Sequence, residues 1–250
     1  MSPSLSTGIG IKVQEVHKKL GPNQALAGVS MNFEAGLMHG LIGPEGAGKT
    51  TLLRNLIELL RPDHGTIEYS LNEQPSSFNQ LRASIAYMPQ QQSLYADLSI
   101  DEHLQFFKEL YSIPESNYKT KRDELLEITR LGPFVHRSAG QLSGGMYKKL
   151  GLMCSLLRSP RALLLDEPTN GVDPISRREF WELLYRLADQ KILIIIATAY
   201  LDEAERCARV HLIEAGKKLA EGEPQALLKH EGVDSFDALF IARSKERTGS

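Results

Sequence analysis

The segment Gly43-Pro44-Glu45-Gly46-Ala47-Gly48-Lys49-Thr50 constrains this chain more than any other stretch, because it fits the pattern G-x-x-x-x-G-K-[ST] that wraps the phosphates of a nucleotide. Such a loop passes its backbone close to phosphate oxygens and turns its amides inward. Glycine is therefore expected at Gly46 and Gly48, where a Cβ would obstruct that approach. Lys49 brings a positive charge to the outer phosphates, and the Thr50 hydroxyl is suited to ligate Mg²⁺. The pattern arises by chance in on the order of 1 per cent of chains of this length, so its setting matters. Leu37-Met38-His39-Gly40-Leu41-Ile42 reads as a buried strand before the loop, and Thr51 to Leu60 as a helix after it. That is the strand, loop, helix order a phosphate loop requires, and it points to a nucleoside triphosphatase.

Composition narrows the setting. At 250 residues, with 42% hydrophobic and 24% charged side chains, the chain has the makeup of a soluble protein with one substantial core or two small ones. A formal charge of -2 argues against a broadly basic face, and no nucleic-acid partner is expected. The longest apolar run, Ile192 to Ala199, falls far short of the ~20 residues that span a bilayer and reads as a buried strand. The opening Met1-Ser2-Pro3-Ser4-Leu5-Ser6-Thr7-Gly8 has neither a basic start nor an apolar stretch, so export is not expected. Cys154 and Cys207 lack a C-x-x-C partner and read as reduced cytosolic thiols. The 7 histidines show no ligand spacing.

Along the chain, Ile11 to Val16 and Val29 to Phe33 alternate as strands do, and Gly65 to Ser70 and Ile85 to Met88 read as further strands. Beyond Pro89 the pattern turns helical from Leu98 to Leu131. Ser99-Ile100-Asp101-Glu102 is a capping box; Leu104, Phe107 and Leu110, then Leu125, Ile128 and Leu131, recur at helical spacing. Arg161 to Asp166 predicts a strand, Ser176 to Ala188 a helix and Lys191 to Thr198 a strand. Short strands around Val210 to Ile213 and Lys218 to Glu221 lead to a C-terminal helix. Strands alternating with helices imply an α/β fold with a mostly parallel sheet.

Two further stretches carry chemistry. Leu163-Leu164-Leu165-Asp166-Glu167-Pro168 is an apolar strand ending in two carboxylates. It reads either as a solvated acidic strand end or, beside a phosphate loop, as a pair with divided labour. Asp166 then holds Mg²⁺ through its water shell, and Glu167 orients or deprotonates the attacking water. Gln141-Leu142-Ser143-Gly144-Gly145-Met146 precedes a helix. Ser143 is either a plain N-cap or, with the bare amides of Gly144 and Gly145, a second anion site at a helix N-terminus.

With these motifs the chain resembles the ATP-binding subunits of ABC transporters. Gly43 to Thr51 is similar to the family's Walker A loop, Leu142 to Met146 to its LSGGQ-type signature, and Leu163 to Glu167 to its Walker B strand with the catalytic glutamate. Tyr87-Met88-Pro89-Gln90 resembles the Q-loop, and Gly171-Val172-Asp173-Pro174 the D-loop that links the two sites of a dimer. The resemblance implies a RecA-like P-loop NTPase core with an antiparallel β subdomain and an inserted helical subdomain. It implies one ATPase domain over 8–228 (core 8–90 and 160–228, helical subdomain 91–159), followed by a C-terminal helix and tail over 229–250. It also implies ATP and Mg²⁺ as cofactors, held by Gly43 to Thr51, by Ser143, Gly144 and Gly145, and by a metal set of Thr50, Gln90 and Asp166. Glu167 and Gln90 would serve catalysis. The partners implied are a second ATPase domain, in a homodimer or heterodimer, and membrane permease subunits at the cytoplasmic face of the inner membrane.

Ser93-Leu94-Tyr95-Ala96-Asp97-Leu98 and Asp202-Glu203-Ala204-Glu205 resemble ABC-2-type exporters, the class that includes multidrug efflux systems. Two positions depart from the pattern. Leu20 stands where the family usually stacks an aromatic on adenine, and Ala199 stands where its switch histidine follows Ile196-Ala197-Thr198. Similar departures mark the first ATPase domain of tandem-domain exporter subunits, which implies one half of an asymmetric pair and a site of reduced activity. A soluble ABC-type switch that moves no solute is the alternative reading.

Overall fold

Apolar strands with both faces covered organise the molecule. The computed structural model describes residues 8–91 and 94–248; expectations falling on residues 1–7, 92–93 and 249–250, the opening tail and Ser93 among them, lie outside that range. In chain order, β1 (Ile9–Leu20) and β2 (Asn23–Phe33) form a hairpin, and β3 (Met38–Ile42) leads through the phosphate-loop motif into α1 (Lys49–Leu56). Next come β4 (His64–Leu71), β5 (Gln74–Ser76), α2 (Phe78–Leu81) and β6 (Ile85–Met88). The helices α3 (Ile100–Leu110), α4 (Glu115–Thr129) and α5 (Gly144–Leu156) follow. The sheet resumes with β7 (Ala162–Asp166), α6 (Pro174–Asp189) and β8 (Leu193–Thr198). Last are β9 (Arg209–Glu214), β10 (Lys217–Gly222), α7 (Pro224–Glu231) and α8 (Phe236–Thr248).

The expected α/β fold is present. One sheet has the order β10-β9-β3-β8-β7-β6, parallel except for the edge strand β10, and a separate antiparallel sheet has the order β2-β1-β4-β5. Successive residues of a strand face opposite sides of its sheet, and here each side has its own core. Leu163, Leu165, Ile194 and Ile196 pack with Leu104, Leu150 and Trp181 of the helical side. Leu164, Ile195 and Leu41 pack with Leu52 of α1 and with Val13 and Phe33 of the antiparallel sheet. The continuous apolar runs of β3, β7 and β8 follow from this double burial. Among the described residues, no helix is long and apolar enough to cross a membrane.

Local chemistry sets the boundaries. The Ser99 capping box forms, with the Glu102 amide donating to Ser99 Oγ at 3.2 Å and the Ser99 amide donating to Glu102 Oε2 at 2.7 Å. Helix α1 stops at Leu56, short of the Leu60 its sequence suggests. Glu58 turns to a left-handed φ of 53°, and the Tyr69 hydroxyl donates to the Leu56 carbonyl at 3.1 Å, satisfying an orphan acceptor of the helix end. In β1 the buried alternation Ile9, Ile11, Val13 breaks before Val16, where the register shifts and Glu15 adopts a φ of 47°. This is a β-bulge, which a strict period of two does not anticipate. The single expected C-terminal helix is two helices separated by Gly232 at a φ of 66°; residue 229 lies inside the first, and Phe236 and Leu239 of the second enter the core.

Candidate functional site

The loop between β3 and α1 is held by backbone hydrogen bonds, among them one within the loop and one from the turn between β9 and β10. The Ala47 amide donates to the Pro44 carbonyl at 3.2 Å, and the Gly216 amide donates to the Ala47 carbonyl at 2.9 Å. Gly48, the N-cap of α1, has a φ of 104°, and a Cβ there would stand 2.4 Å from the Ala25 carbonyl oxygen. Gly43 is tighter still, since its Cβ would meet the Ile213 carbonyl oxygen at 2.0 Å. Gly46 has open space around it, and its requirement is the left-handed φ of 76° alone. The glycines thus answer first to the protein's own close packing and to backbone conformation, beyond the approach of phosphate expected from sequence.

Behind the loop, charged and hydroxyl groups converge. Lys49 Nζ donates to the Gly43 and Pro44 carbonyls at 2.7 and 3.0 Å and pairs with Glu167 Oε1 at 3.1 Å. Both side chains are buried, 5% and 7% exposed, so water screens the pair little. The other oxygen, Glu167 Oε2, accepts from the Ala199 amide at 3.3 Å. Glu167 itself holds a left-handed φ of 48°, fixed by its amide donating to the Ala197 carbonyl at 2.8 Å. Such a conformation in a non-glycine residue stores about 1 kcal/mol or more of strain and recurs at sites that must aim a side chain. Thr50 Oγ1 donates to Asp166 Oδ1 at 3.0 Å, and the Tyr87 hydroxyl donates to Asp166 Oδ2 at 3.1 Å. Burial, with the Asp166 charge next, pushes the Tyr87 hydroxyl up to about 12, so it stays a proton donor to this carboxylate at neutral pH.

A cleft of about 530 Å³ opens over this cluster, lined by Glu45 to Thr51, Gln90 and Glu167 together with Leu20, Gln24 and Ala25. The residues Ser143, Gly144 and Gly145 do not line it. They open α5, where the Met146 amide donates to Ser143 Oγ at 3.3 Å. Gly145 is bare for a local reason, because a Cβ there would stand 2.4 Å from Ser176 Cβ of α6, whereas one at Gly144 would make an ordinary contact at 3.6 Å with the Gly171 carbonyl. Asp173 caps α6, accepting from the Ile175 and Ser176 amides at 3.1 and 3.0 Å, and its carboxyl is held below the usual range first by the Ser176 side-chain hydroxyl and then by the Ser176 amide. Lys49, Thr50, Asp166 and Glu167 thus meet within one chain, and the serine-glycine helix end does not line their cleft.

Sequence reasoning assigned no role to Tyr87, Gln24 or Ala25, nor to the Ala199 amide. Tyr87 carries a signal, a hydroxyl at the end of the strand next to the Asp166 strand; a backbone amide carries none. Glu203 is fully buried, and its Oε1 accepts from Thr169 Oγ1, Arg177 Nε and Trp181 Nε1 at 2.8, 2.9 and 3.1 Å. It ties the segment after β8 to α6.

Residues 26–170 match the ABC transporter family. The chain belongs to the ABC transporter family. Within it the chain is 47% identical over 212 residues to the "Probable multidrug ABC transporter ATP-binding protein YbhF" of Escherichia coli (strain K12), a match that covers 85% of this chain and 37% of that protein. This chain thus spans little more than a third of that relative's length. It is 36% identical over 231 residues to a daunorubicin resistance ATP-binding protein of Streptomyces coeruleorubidus, covering 92% of this chain and 73% of the other. A solved ATP-binding subunit of an ABC transporter superposes with a TM-score of 0.81 at 28% identity, covering 94% of this chain and 99% of that one. Likeness of fold and of sequence here agree, and the ATP-binding cassette is the P-loop fold expected from the motifs.

Proposed function

We propose that this ABC cassette binds and hydrolyses ATP to power an exporter, docked on a separate membrane permease at the cytoplasmic face of the inner membrane and working as a head-to-tail pair of ATPase domains. The observation that carries this reading is the buried Lys49–Glu167 pair beside Thr50 and Asp166 at the floor of the cleft. A hydroxyl and a carboxylate 3.0 Å apart are a hard-oxygen donor set that suits Mg²⁺. Thr50, Asp166 and Gln90 would hold the ion, which when bound would offset charge on the phosphates. Gly43 to Thr51 would cradle the triphosphate with amides, and Lys49 would meet its outer oxygens.

Glu167 is the group suited to take the proton of the attacking water, since its carboxylate is oriented from both sides by Lys49 and the Ala199 amide. Ser143, Gly144 and Gly145 lie outside this cleft, which supports their meeting a nucleotide held by another domain. ATP would then join two cassettes, and loss of its γ-phosphate would release them. The aromatic group Tyr95 and Phe106, exposed and in edge contact at 5.4 Å, supports a permease-facing role for the α3 side. The relatives named for multidrug and daunorubicin resistance support export as the direction. Reconstituted with its permease, the complex is expected to move solute only with ATP; nucleotide binding without any ATP-dependent movement would refute the reading.

With alanine at 199, this position offers Glu167 its backbone amide where an imidazole is usual. Turnover at this site is expected to be slow, and Ala199→His is expected to raise the kcat of the isolated chain by about 10²-fold, the scale of one transition-state donor. Steady-state phosphate release checks this, and a fast parent chain that gains nothing from histidine would contradict it.

A further inference from the structure

The helix that begins with Ser143 reaches back to the nucleotide cleft through a side chain the motifs do not include. Lys148 lies on α5, five residues beyond Ser143, and its Nζ donates to the Gln90 carbonyl at 3.1 Å. Gln90 stands two residues past β6, whose Met88 pairs with Leu165 just before Asp166. Lys148 is half-buried; burial draws its ammonium below the ordinary lysine range, and the carboxylates of Asp166 and Glu167 oppose that, so its charge lies within electrostatic reach of both. Its neighbour has a different task, since Lys149 Nζ pairs with Glu179 Oε2 of α6 at 2.5 Å and anchors α5 to the core. One lysine fixes the helix, and the next links it to the cleft.

We propose that Lys148 is a positioning residue that ties α5 to the Gln90 segment, so that the attitude of the serine-glycine helix sets where the Gln90 side chain stands over the phosphate loop. This rests on the reading that the cleft hydrolyses ATP. The bond is to a backbone carbonyl, so it moves the Gln90 segment without occupying the Gln90 amide. That amide stays available to ligand at the cleft lined by Gln90, Lys49 and Glu167. A charge-assisted bond of this kind, half screened, is the scale at which its loss changes a rate by about tenfold.

The test is a double-mutant cycle on the full chain, reading kcat and KM for ATP together with affinity for a fluorescent ATP analogue. Lys148→Met is expected to lower kcat about tenfold with KM and affinity within about twofold, and Lys148→Arg to restore kcat to within about twofold. On a Gln90→Ala background, Lys148→Met is expected to change kcat by less than about twofold, because the two residues act in series. Should Lys148→Met not fold, Lys148→Gln replaces it in the same cycle. Multiplicative losses in the double variant, or equal losses for methionine and arginine, would overturn the proposal while leaving ATP hydrolysis by the cleft intact. A parent chain with no turnover at all would overturn both.

Discussion

Glu167→Gln is expected to lower kcat for ATP hydrolysis by about 10³-fold, within the range that a positioned general base contributes, and to leave a pair of chains held together by uncleaved ATP. The substitution keeps size and removes basicity. It also replaces two equivalent oxygens by one oxygen and one NH₂ group, where the protein presents two donors: Lys49 Nζ at Oε1 and the Ala199 amide at Oε2. One donor must then face another donor. The amide oxygen is expected to turn to Lys49, the stronger donor, which keeps the loop in place and preserves ATP affinity to within a few-fold. Size-exclusion chromatography with and without ATP, beside a phosphate-release assay, reads both effects. A variant that turns over ATP at the parent rate would show that Glu167 is not the base, and one that stays monomeric with ATP bound would sink head-to-tail pairing between two copies of this chain.

Much of this site could be read from residue order because its chemistry is local in sequence. A phosphate loop must sit between a strand and a helix, and the run Leu163 to Glu167 must end a buried strand if its carboxylates are to face that loop. What the sequence conceals is whatever depends on approach between distant segments. The close contacts that exclude a side chain at Gly43 and Gly48 come from Ile213 and Ala25, and the one at Gly145 from Ser176, none of which a motif encodes. The bulge at Glu15 and the early end of α1 arise from strand pairing within the antiparallel sheet and from Tyr69, not from local propensity. The donor that serves Glu167 in place of a side chain at 199 is an amide, identical in every residue but proline. Lys148 hides for another reason: on a helix whose buried face runs through Lys149, Leu150 and Met153, a neighbouring lysine reads as solvated until its carbonyl partner is placed.

Lys49→Ala carries the second large effect, and the buried pair makes it separable into two parts. The ammonium donates to the Gly43 and Pro44 carbonyls and neutralises Glu167, so its removal leaves a buried carboxylate without its cation. Breaking a buried pair from one side costs about 3 to 5 kcal/mol, and the melting temperature without nucleotide is expected to fall accordingly. Loss of the charge that meets the phosphates costs a further amount of about 2 to 5 kcal/mol in binding, a fall in ATP affinity of at least about 30-fold. The double variant Lys49→Ala with Glu167→Gln distinguishes these. With neither charge of the pair left buried, its melting temperature should recover most of the loss, while its ATP affinity should stay as low as that of Lys49→Ala alone. Calorimetric titration and thermal melting on the parent and the three variants measure both quantities. If the double variant regained affinity along with stability, the lysine would act by holding the loop together, and the assignment of its charge to the outer phosphates would fail.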